Sequence, residues 1–254
     1  MTLNGQSGTA ERRAAAPASI RGVLFDKDGT LFDFVASWRG IALEIIARLA
    51  PDAAAAAAMA RLGGIDEAGN GLVPGSLIAA GANRAIAEAW APFRPDLGIG
   101  GMEAALERLA AEQAASTPPP VPAAPDLRRL LSELAGAGLG LGVATNDSAA
   151  GAWRDLKATG IDDAFDLVLG YDSVEQPKPA PDVIDVFAAH LGITPAEVAM
   201  VGDSTHDLMT AHAAGAGLAI GVLTGPAEAS DLEVLADYIL PSIAELPALF
   251  AQQR

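Results

Sequence analysis

The sequence predicts an α/β fold, a doubly wound parallel sheet that carries an all-helical insert after its first strand. Three observations lead to this prediction. Residues 20–25 form an apolar run with the length of a buried strand, and residues 35–116 show helical patterns without a convincing strand. After a proline-rich stretch at residues 117–122, helical and strand patterns alternate to the end of the chain.

The insert is predicted to consist of helices. Pro51 ends the first of them, and Asp52 is a suitable cap for the alanine-rich helix that follows. A glycine-rich loop at residues 63–75 separates these two helices from the rest. The predicted helices cover residues 38–49, 53–62, 76–91 and 101–115.

The remainder of the chain completes the sheet. Consecutive prolines predict an extended linker at residues 117–122, because they disfavour a helix. The elements predicted after it are strands at 139–144, 165–169, 198–201, 218–221 and 238–240, and helices at 126–137, 149–158, 181–191, 206–214 and from 243. We therefore expect a disordered N-terminal extension at 1–19, an α/β core at 20–32 and 122–254, and a helical insert with its linker at 33–121.

Composition narrows the functional classes. The 254 residues are 51% hydrophobic and 19% charged, which is typical of a globular protein. A net charge of -16 repels nucleic acid and anionic membranes, so we expect neither as a partner. The absence of cysteine excludes disulfides, thiolate catalysis and cysteine zinc sites, and it is compatible with a cytoplasmic protein.

The stretch Asp26-Lys27-Asp28-Gly29-Thr30 directly follows the first predicted strand. Two carboxylates separated by one residue at a strand end can point into one cleft. They could hold a divalent cation through oxygen ligands and leave one carboxylate to attack or to move a proton. Taken alone, the same residues are equally typical of a strand that ends in an Asx turn.

Polar clusters also follow later strands of the predicted sheet. Thr145 and Asn146 offer a hydroxyl and an amide to phosphate oxygens, and Lys178 stands among prolines that fix its direction as a charge clamp. Asp203 and Asp207 lie around the start of a helix, so one could bind a metal while the other supports it. Helix capping and a solvated lysine are the alternatives for each cluster alone. Four clusters at strand ends of one sheet favour a functional site.

This arrangement resembles the haloacid dehalogenase-like superfamily, and within it the phosphatases of the phosphoglycolate phosphatase type. The motifs that carry the resemblance are Asp26-Lys27-Asp28-Gly29-Thr30, Thr145-Asn146-Asp147, Pro177-Lys178-Pro179 and Gly202-Asp203-Ser204-Thr205-His206-Asp207. The resemblance covers nearly the whole chain from Ile20 onward. It implies a Rossmann-like core, with the helical insert as the family's cap domain.

The resemblance also implies roles for these residues. Asp26 would be the nucleophile and Asp28 the general acid and base. Thr145 and Lys178 would bind the phosphoryl group, together with the neighbouring amide of Asn146. The metal site is expected to hold Mg²⁺ through Asp26, Asp28 and Asp203, with Asp207 supporting it. Positive charge from Mg²⁺ and Lys178 would offset the repulsion between a carboxylate and a phosphate dianion.

The expected activity is Mg²⁺-dependent hydrolysis of a small phosphorylated metabolite, phosphoglycolate-like or a sugar phosphate, through an aspartyl phosphate. Two alternatives stay open at this point. One is a phosphoglucomutase-type isomerase, and the other is a non-catalytic binding protein on the same fold. The sequence does not determine the metabolite, the cap residues that select it, or the oligomeric state.

Overall fold

The computed structural model describes residues 19–65, 73, 76–80, 83–116 and 119–251. Its strands are β1 Gly22–Phe25, β2 Gly140–Ala144, β3 Leu167–Leu169, β4 Val198–Gly202, β5 Leu218–Val222 and β6 Tyr238–Leu240. They form one sheet in the order β3-β2-β1-β4-β5-β6, and all neighbouring strands are parallel. The predicted doubly wound parallel sheet is confirmed.

Helices make up the insert and cover both faces of the sheet. The insert contains α1 Phe34–Leu49, α2 Ala53–Gly63, α3 Leu77–Ala80, α4 Asn83–Trp90 and α5 Gly98–Ser116. The core contains α6 Leu127–Gly136, α7 Ala149–Ala158, α8 Asp182–Leu191, α9 Thr205–Ala214, α10 Ala229–Leu232 and α11 Leu246–Ala251. Among the residues described, no helix is both long and apolar enough to cross a membrane.

The start of α2 shows how a local signal sets a helix boundary. The side chain of Asp52 accepts a hydrogen bond of 2.8 Å from the backbone N–H of Ala55, which would otherwise lack a partner in the first turn. The helix ends at Gly63, and the following Gly64 has a φ of 89°, a left-handed conformation that glycine adopts without strain. The cap predicted at Asp52 is therefore confirmed.

Some element boundaries differ from the predictions. The helix expected at 76–91 is described as α3 and α4 on either side of residues 81–82, which lie outside the described residues, and a 3₁₀ turn at Ala91–Phe93 follows α4. Strand β3 begins at Leu167 instead of residue 165, and directly before it the Asp166 carboxylate accepts the N–H of Leu141 at 2.9 Å. The expectations for residues 1–18, for most of the loop at 63–75 and for residues 117–118 lie outside the described residues.

Three apolar clusters stabilise the molecule. Two of them lie on opposite faces of the sheet, since Phe25 belongs to one and its neighbour Leu24 to the other, as strand alternation requires. The third lies within the insert and includes Met59 and Trp90. The indole N–H of Trp90 donates to the carbonyl of Met59 at 3.1 Å, so this buried polar group is satisfied. The insert thus has a hydrophobic core of its own.

The two chain crossings between core and insert lie side by side. The N–H of Asp33 donates to the carbonyl of Val121 at 2.8 Å, and the N–H of Ala123 donates to the carbonyl of Leu31 at 2.9 Å. Phe32 and Pro122 form an antiparallel bridge between these bonds. We propose on this basis that the helical cap and its linker occupy residues 33–121, with the core on either side.

The pairing register of the sheet aligns the carboxyl ends of β1, β2 and β4. Phe25 at the end of β1 lies beside Val143 of β2 and Val201 of β4. The chain leaves β1 for β2 and β3 on one side, then returns to β4 on the other. Ligands of open parallel sheets bind beyond the carboxyl ends of strands at such a reversal. The residues that follow β1, β2 and β4 therefore converge on one crevice.

Candidate active site at the carboxyl edge of the sheet

The loop after β1 presents Asp26 in a buried position. Its side chain is only 10% exposed, and its backbone N–H donates to the carbonyl of Val201 at 2.8 Å, which extends the ladder past the strand end. Gly29 has a φ of 95°, and a Cβ at this position would lie 2.4 Å from Cγ of Asp203. Only glycine lets the β1 loop turn this closely against the β4 loop.

Lys178 connects this aspartate to the end of β4. Its buried ammonium lies 2.6 Å from Oδ1 of Asp26 and 2.6 Å from Oδ1 of Asp207. The other oxygen of Asp207 accepts hydrogen bonds from Ser204, at 2.6 Å from the hydroxyl and 3.1 Å from the backbone N–H. Two carboxylates thus hold the Lys178 ammonium, and its predicted role as a charge clamp for the phosphoryl group stays a prediction.

Three carboxylates meet around this lysine. One oxygen each of Asp26, Asp203 and Asp207 lies within 4.8 Å of the others, and all three residues are buried. Burial raises the pKa of Asp26 to about 7, although Lys178 opposes the rise. Burial, together with the charges of Asp26 and Asp207, also raises the pKa of Asp203 well above its usual range. The three carboxyl groups together can carry more negative charge than the single Lys178 ammonium offsets. This excess favours the binding of a further cation.

The donor set fits a magnesium ion. Mg²⁺ is a hard cation that takes oxygen ligands, and the site offers carboxylate oxygens on two strand ends. A Cβ on Gly225 would lie 1.7 Å from Oδ2 of Asp203, so the backbone at Gly225 packs directly against this carboxylate. The hydroxyl of Thr224 donates to the carbonyl of Gly29 at 2.6 Å and ties the β5 loop to the β1 loop. Asp203 is therefore held in one place between two loops.

Asp28 lies apart from the three-carboxylate group. Its Oδ2 is 2.8 Å from the ammonium of Lys27, and its side chain is 20% exposed. Its predicted roles as proton donor and as metal ligand both stay predictions.

The loop after β2 supplies the remaining predicted residues. Thr145 is buried, and its hydroxyl accepts the N–H of Asp147 at 3.1 Å. The amide of Asn146 donates to the backbone carbonyl of Lys178 at 3.2 Å, so Asn146 helps to position that lysine. The backbone N–H of Thr145 donates to the carbonyl of Leu169 at 2.9 Å. Phosphate binding by Thr145 and Asn146 stays a prediction.

Sequence reasoning missed several residues that shape this site. Gly225 and Thr224 follow strand β5, and their position after an apolar run was the available signal. Ser204 was read only as part of a motif, although it orients Asp207 with two hydrogen bonds. The buried position of Lys27 had no signal in the sequence, because a lysine after a strand is ordinarily exposed.

With this geometry in place, comparison with known proteins identifies the family. The model of the haloacid dehalogenase-like hydrolases matches residues 20–215. The chain belongs to the haloacid dehalogenase-like hydrolase family. The match spans all four motifs, and it confirms the expectation of a hydrolase of this family.

Curated relatives of this family member carry phosphatase names. A phosphoglycolate phosphatase of Yersinia pestis is 32% identical over 244 residues, which cover 92% of this chain and 97% of that protein. The pyrophosphatase PpaX of Bacillus velezensis is 38% identical over 119 residues, 46% of this chain and 54% of that protein. The probable phosphatase IndB of Dickeya dadantii is 47% identical over 95 residues, 37% of this chain and 41% of that protein. The last two alignments thus span only about half of those relatives.

Solved structures of the family share the fold. A subfamily IA hydrolase of this superfamily from Geobacter sulfurreducens superposes with a TM-score of 0.62 at 23% identity, covering 91% of this chain and 96% of that one. A phosphatase of the superfamily from Thermococcus onnurineus has a TM-score of 0.59 at 23% identity, covering 91% and 97%. These matches include the helical cap together with the Rossmann-like core.

Proposed function

We propose that this protein is a Mg²⁺-dependent phosphatase that hydrolyses a small phosphorylated metabolite through an aspartyl phosphate on Asp26. The observation that carries the proposal is the contact of buried Asp26 with the fixed ammonium of Lys178, beside Asp203, at the carboxyl edge of the sheet. Attack of a carboxylate on a phosphate dianion requires positive charge, which Lys178 supplies here and Mg²⁺ would add when bound.

Asp26 and Asp203 would hold the magnesium ion, and Asp207 would support the site by anchoring Lys178. Mg²⁺ supplies charge neutralisation on the phosphoryl oxygens when it is bound. We include Asp28 in the proposed set of metal ligands.

The chain's own residues provide the chemical steps. A carboxylate oxygen of Asp26 forms the new bond to phosphorus as the bond to the leaving oxygen breaks, and Asp28 gives that oxygen its proton. Asp28, now a carboxylate, then takes a proton from the water that attacks the phosphorus of the aspartyl phosphate. This second attack frees Asp26 and releases inorganic phosphate. Lys178, Thr145 and Asn146 would orient the phosphoryl oxygens.

The names of the relatives support the substrate class. The match to phosphoglycolate phosphatase extends over nearly the whole of both chains, which favours a small phosphomonoester. The acidic chain, with a net charge of -16, agrees with a small metabolite and not a nucleic acid as partner. We extend the proposal to a cytoplasmic location, which agrees with the absence of cysteine.

A panel of phosphorylated metabolites, assayed with Mg²⁺ and with chelator, tests the proposal. We expect one small phosphomonoester to exceed the others in kcat/KM, and activity to require Mg²⁺. Asp26→Asn should abolish both turnover and the phosphoenzyme, whereas Asp185→Asn, which changes an exposed aspartate on α8, should leave both intact. Full turnover in excess chelator, or labelled phosphoenzyme in Asp26→Asn, would contradict it.

The same experiment separates the alternatives. Positional exchange of phosphate with a bisphosphate intermediate would identify an isomerase. Binding of a metabolite without turnover of any ester, including an aryl phosphate, would identify a binding protein.

A further inference from the structure

Lys27 is a buried cation that the proposed chemistry does not use. Its side chain is 2% exposed, yet it follows the nucleophile directly in the sequence. The ammonium lies 2.8 Å from Oδ2 of Asp28, 2.8 Å from Oδ2 of Asp155 and 3.5 Å from Oδ2 of Asp147. It is thus separate from Lys178, which pairs with Asp26 and Asp207.

These contacts join three parts of the core. Asp28 belongs to the loop after β1, Asp147 to the loop after β2, and Asp155 to helix α7. Asp155 is held from its other side by Arg154, whose guanidinium lies 3.0 Å from Oδ1. These contacts fix the position of the Lys27 ammonium. Its contact with Asp28 in turn restrains the Asp28 carboxyl group.

A contribution to protein stability alone explains poorly why Lys27 is buried among carboxylates. Removing a lysine and its carboxylate partners from water costs several kcal/mol per ion, and apolar residues of similar volume often replace buried ion pairs without loss. A buried ammonium that contacts the proposed proton donor has a more specific consequence. It engages Oδ2 of Asp28 and so restricts the orientation of that carboxyl group.

We propose that Lys27 is a positioning residue that orients the carboxyl group of Asp28 toward the leaving oxygen of the substrate. The inference rests on the proposed role of Asp28 as proton donor. Lys27 itself does not touch the reacting atoms. Without it, Asp28 would rotate freely at the site and deliver its proton less often.

The test compares substrates with different leaving groups in the variant Lys27→Met. This substitution keeps the length of the side chain and removes its charge. Phosphoenzyme formation is measured by rapid quench for an aryl phosphate and for alkyl phosphates, because only the poor alkoxide leaving groups need a proton donor. General acid catalysis contributes about 10²–10⁴-fold, and we expect Lys27→Met to lower the alkyl-to-aryl rate ratio at least about tenfold. A purely structural role would lower both rates equally.

Asp28→Asn serves as the reference and Lys157→Met as the control. Lys157→Met makes the same change at an exposed lysine of α7 that contacts the ring of Trp153 and none of the carboxylates around Lys27, so its rate ratio should equal that of the wild type. The double variant Lys27→Met/Asp155→Asn removes a cation and an anion together. This double variant should show the same lowered alkyl-to-aryl rate ratio. It tests the proposal if Lys27→Met alone fails to fold.

The outcomes separate the two levels of the proposal. A lowered ratio in Asp28→Asn and in the Lys27 variants supports the positioning role. A lowered ratio in Asp28→Asn with an unchanged ratio in a folded Lys27 variant overturns that role and leaves the proposed function intact. An unchanged ratio in Asp28→Asn overturns the assignment of Asp28 and the positioning role with it.

Discussion

Replacing Gly225 by alanine should displace Asp203 and weaken magnesium binding. The added Cβ would lie 1.7 Å from Oδ2 and 2.3 Å from Cγ of Asp203, whereas ordinary van der Waals contact begins at 3.4 Å. The backbone cannot easily retreat, because Thr224 is hydrogen-bonded to the carbonyl of Gly29 at 2.6 Å. The carboxylate must then move by more than about 1 Å, and a displacement of that size in an active site can cost about 10²-fold in rate.

The assay is kcat/KM for an aryl phosphate as a function of Mg²⁺ concentration. We expect the Gly225→Ala protein to need more Mg²⁺ for half-maximal activity, because Mg²⁺ demands near-ideal octahedral geometry. At saturating Mg²⁺ its kcat/KM should remain about 10²-fold below the wild type. Gly136→Ala is the matched control, since a Cβ there meets no atom within 4 Å and Gly136 is an exposed residue at the end of helix α6.

Thermal denaturation with and without Mg²⁺ completes this test. The wild type and Gly136→Ala should gain stability from Mg²⁺, and Gly225→Ala should gain less. A Gly225→Ala protein with the wild-type Mg²⁺ titration and kcat/KM would refute the reasoning. A lowered melting temperature with unchanged Mg²⁺ dependence would show that Asp203 is not a metal ligand.

Two further predictions concern the buried charges. In Mg²⁺-free solution the free energy of unfolding should fall as the pH rises from about 4 through 7, because burial raises the pKa of Asp26 from 3.8 to about 7 and the folded state retains a proton that the unfolded chain releases. Denaturation in chelator at several pH values should show this fall, and Asp26→Asn should reduce it; equal slopes for both proteins would be evidence against it. Ser204→Ala should lower the free energy of unfolding by about 1.5–3 kcal/mol in urea, because buried Asp207 loses a 2.6 Å hydrogen bond. Ser132→Ala is the control, since that hydroxyl is exposed and bonds only one backbone carbonyl, and equal losses in both variants would count against the account of Ser204.

Local sequence patterns were sufficient to predict the secondary-structure elements whose ends form the candidate site. Strands β1, β2 and β4 are short apolar runs that end at polar residues, and this change of character is visible without any tertiary information. Asp52 shows the same for a helix, since capping depends on groups three residues apart. Boundaries were less predictable where a distant group intervened. Directly before strand β3, for example, Asp166 bonds to Leu141, which lies 25 residues away in the sequence.

The sequence by itself determined the family, the parallel sheet, the helical insert and the residue types at each strand end. These features follow from periodicity and from motifs that are contiguous in the chain. The tertiary structure alone decided which charges meet. Lys178 contacts Asp26 across 152 residues of sequence, Gly225 lies against Asp203, and Lys27 is buried among three carboxylates. Such contacts depend on the strand order, which places β1 between β2 and β4, and no local pattern of residues encodes that order.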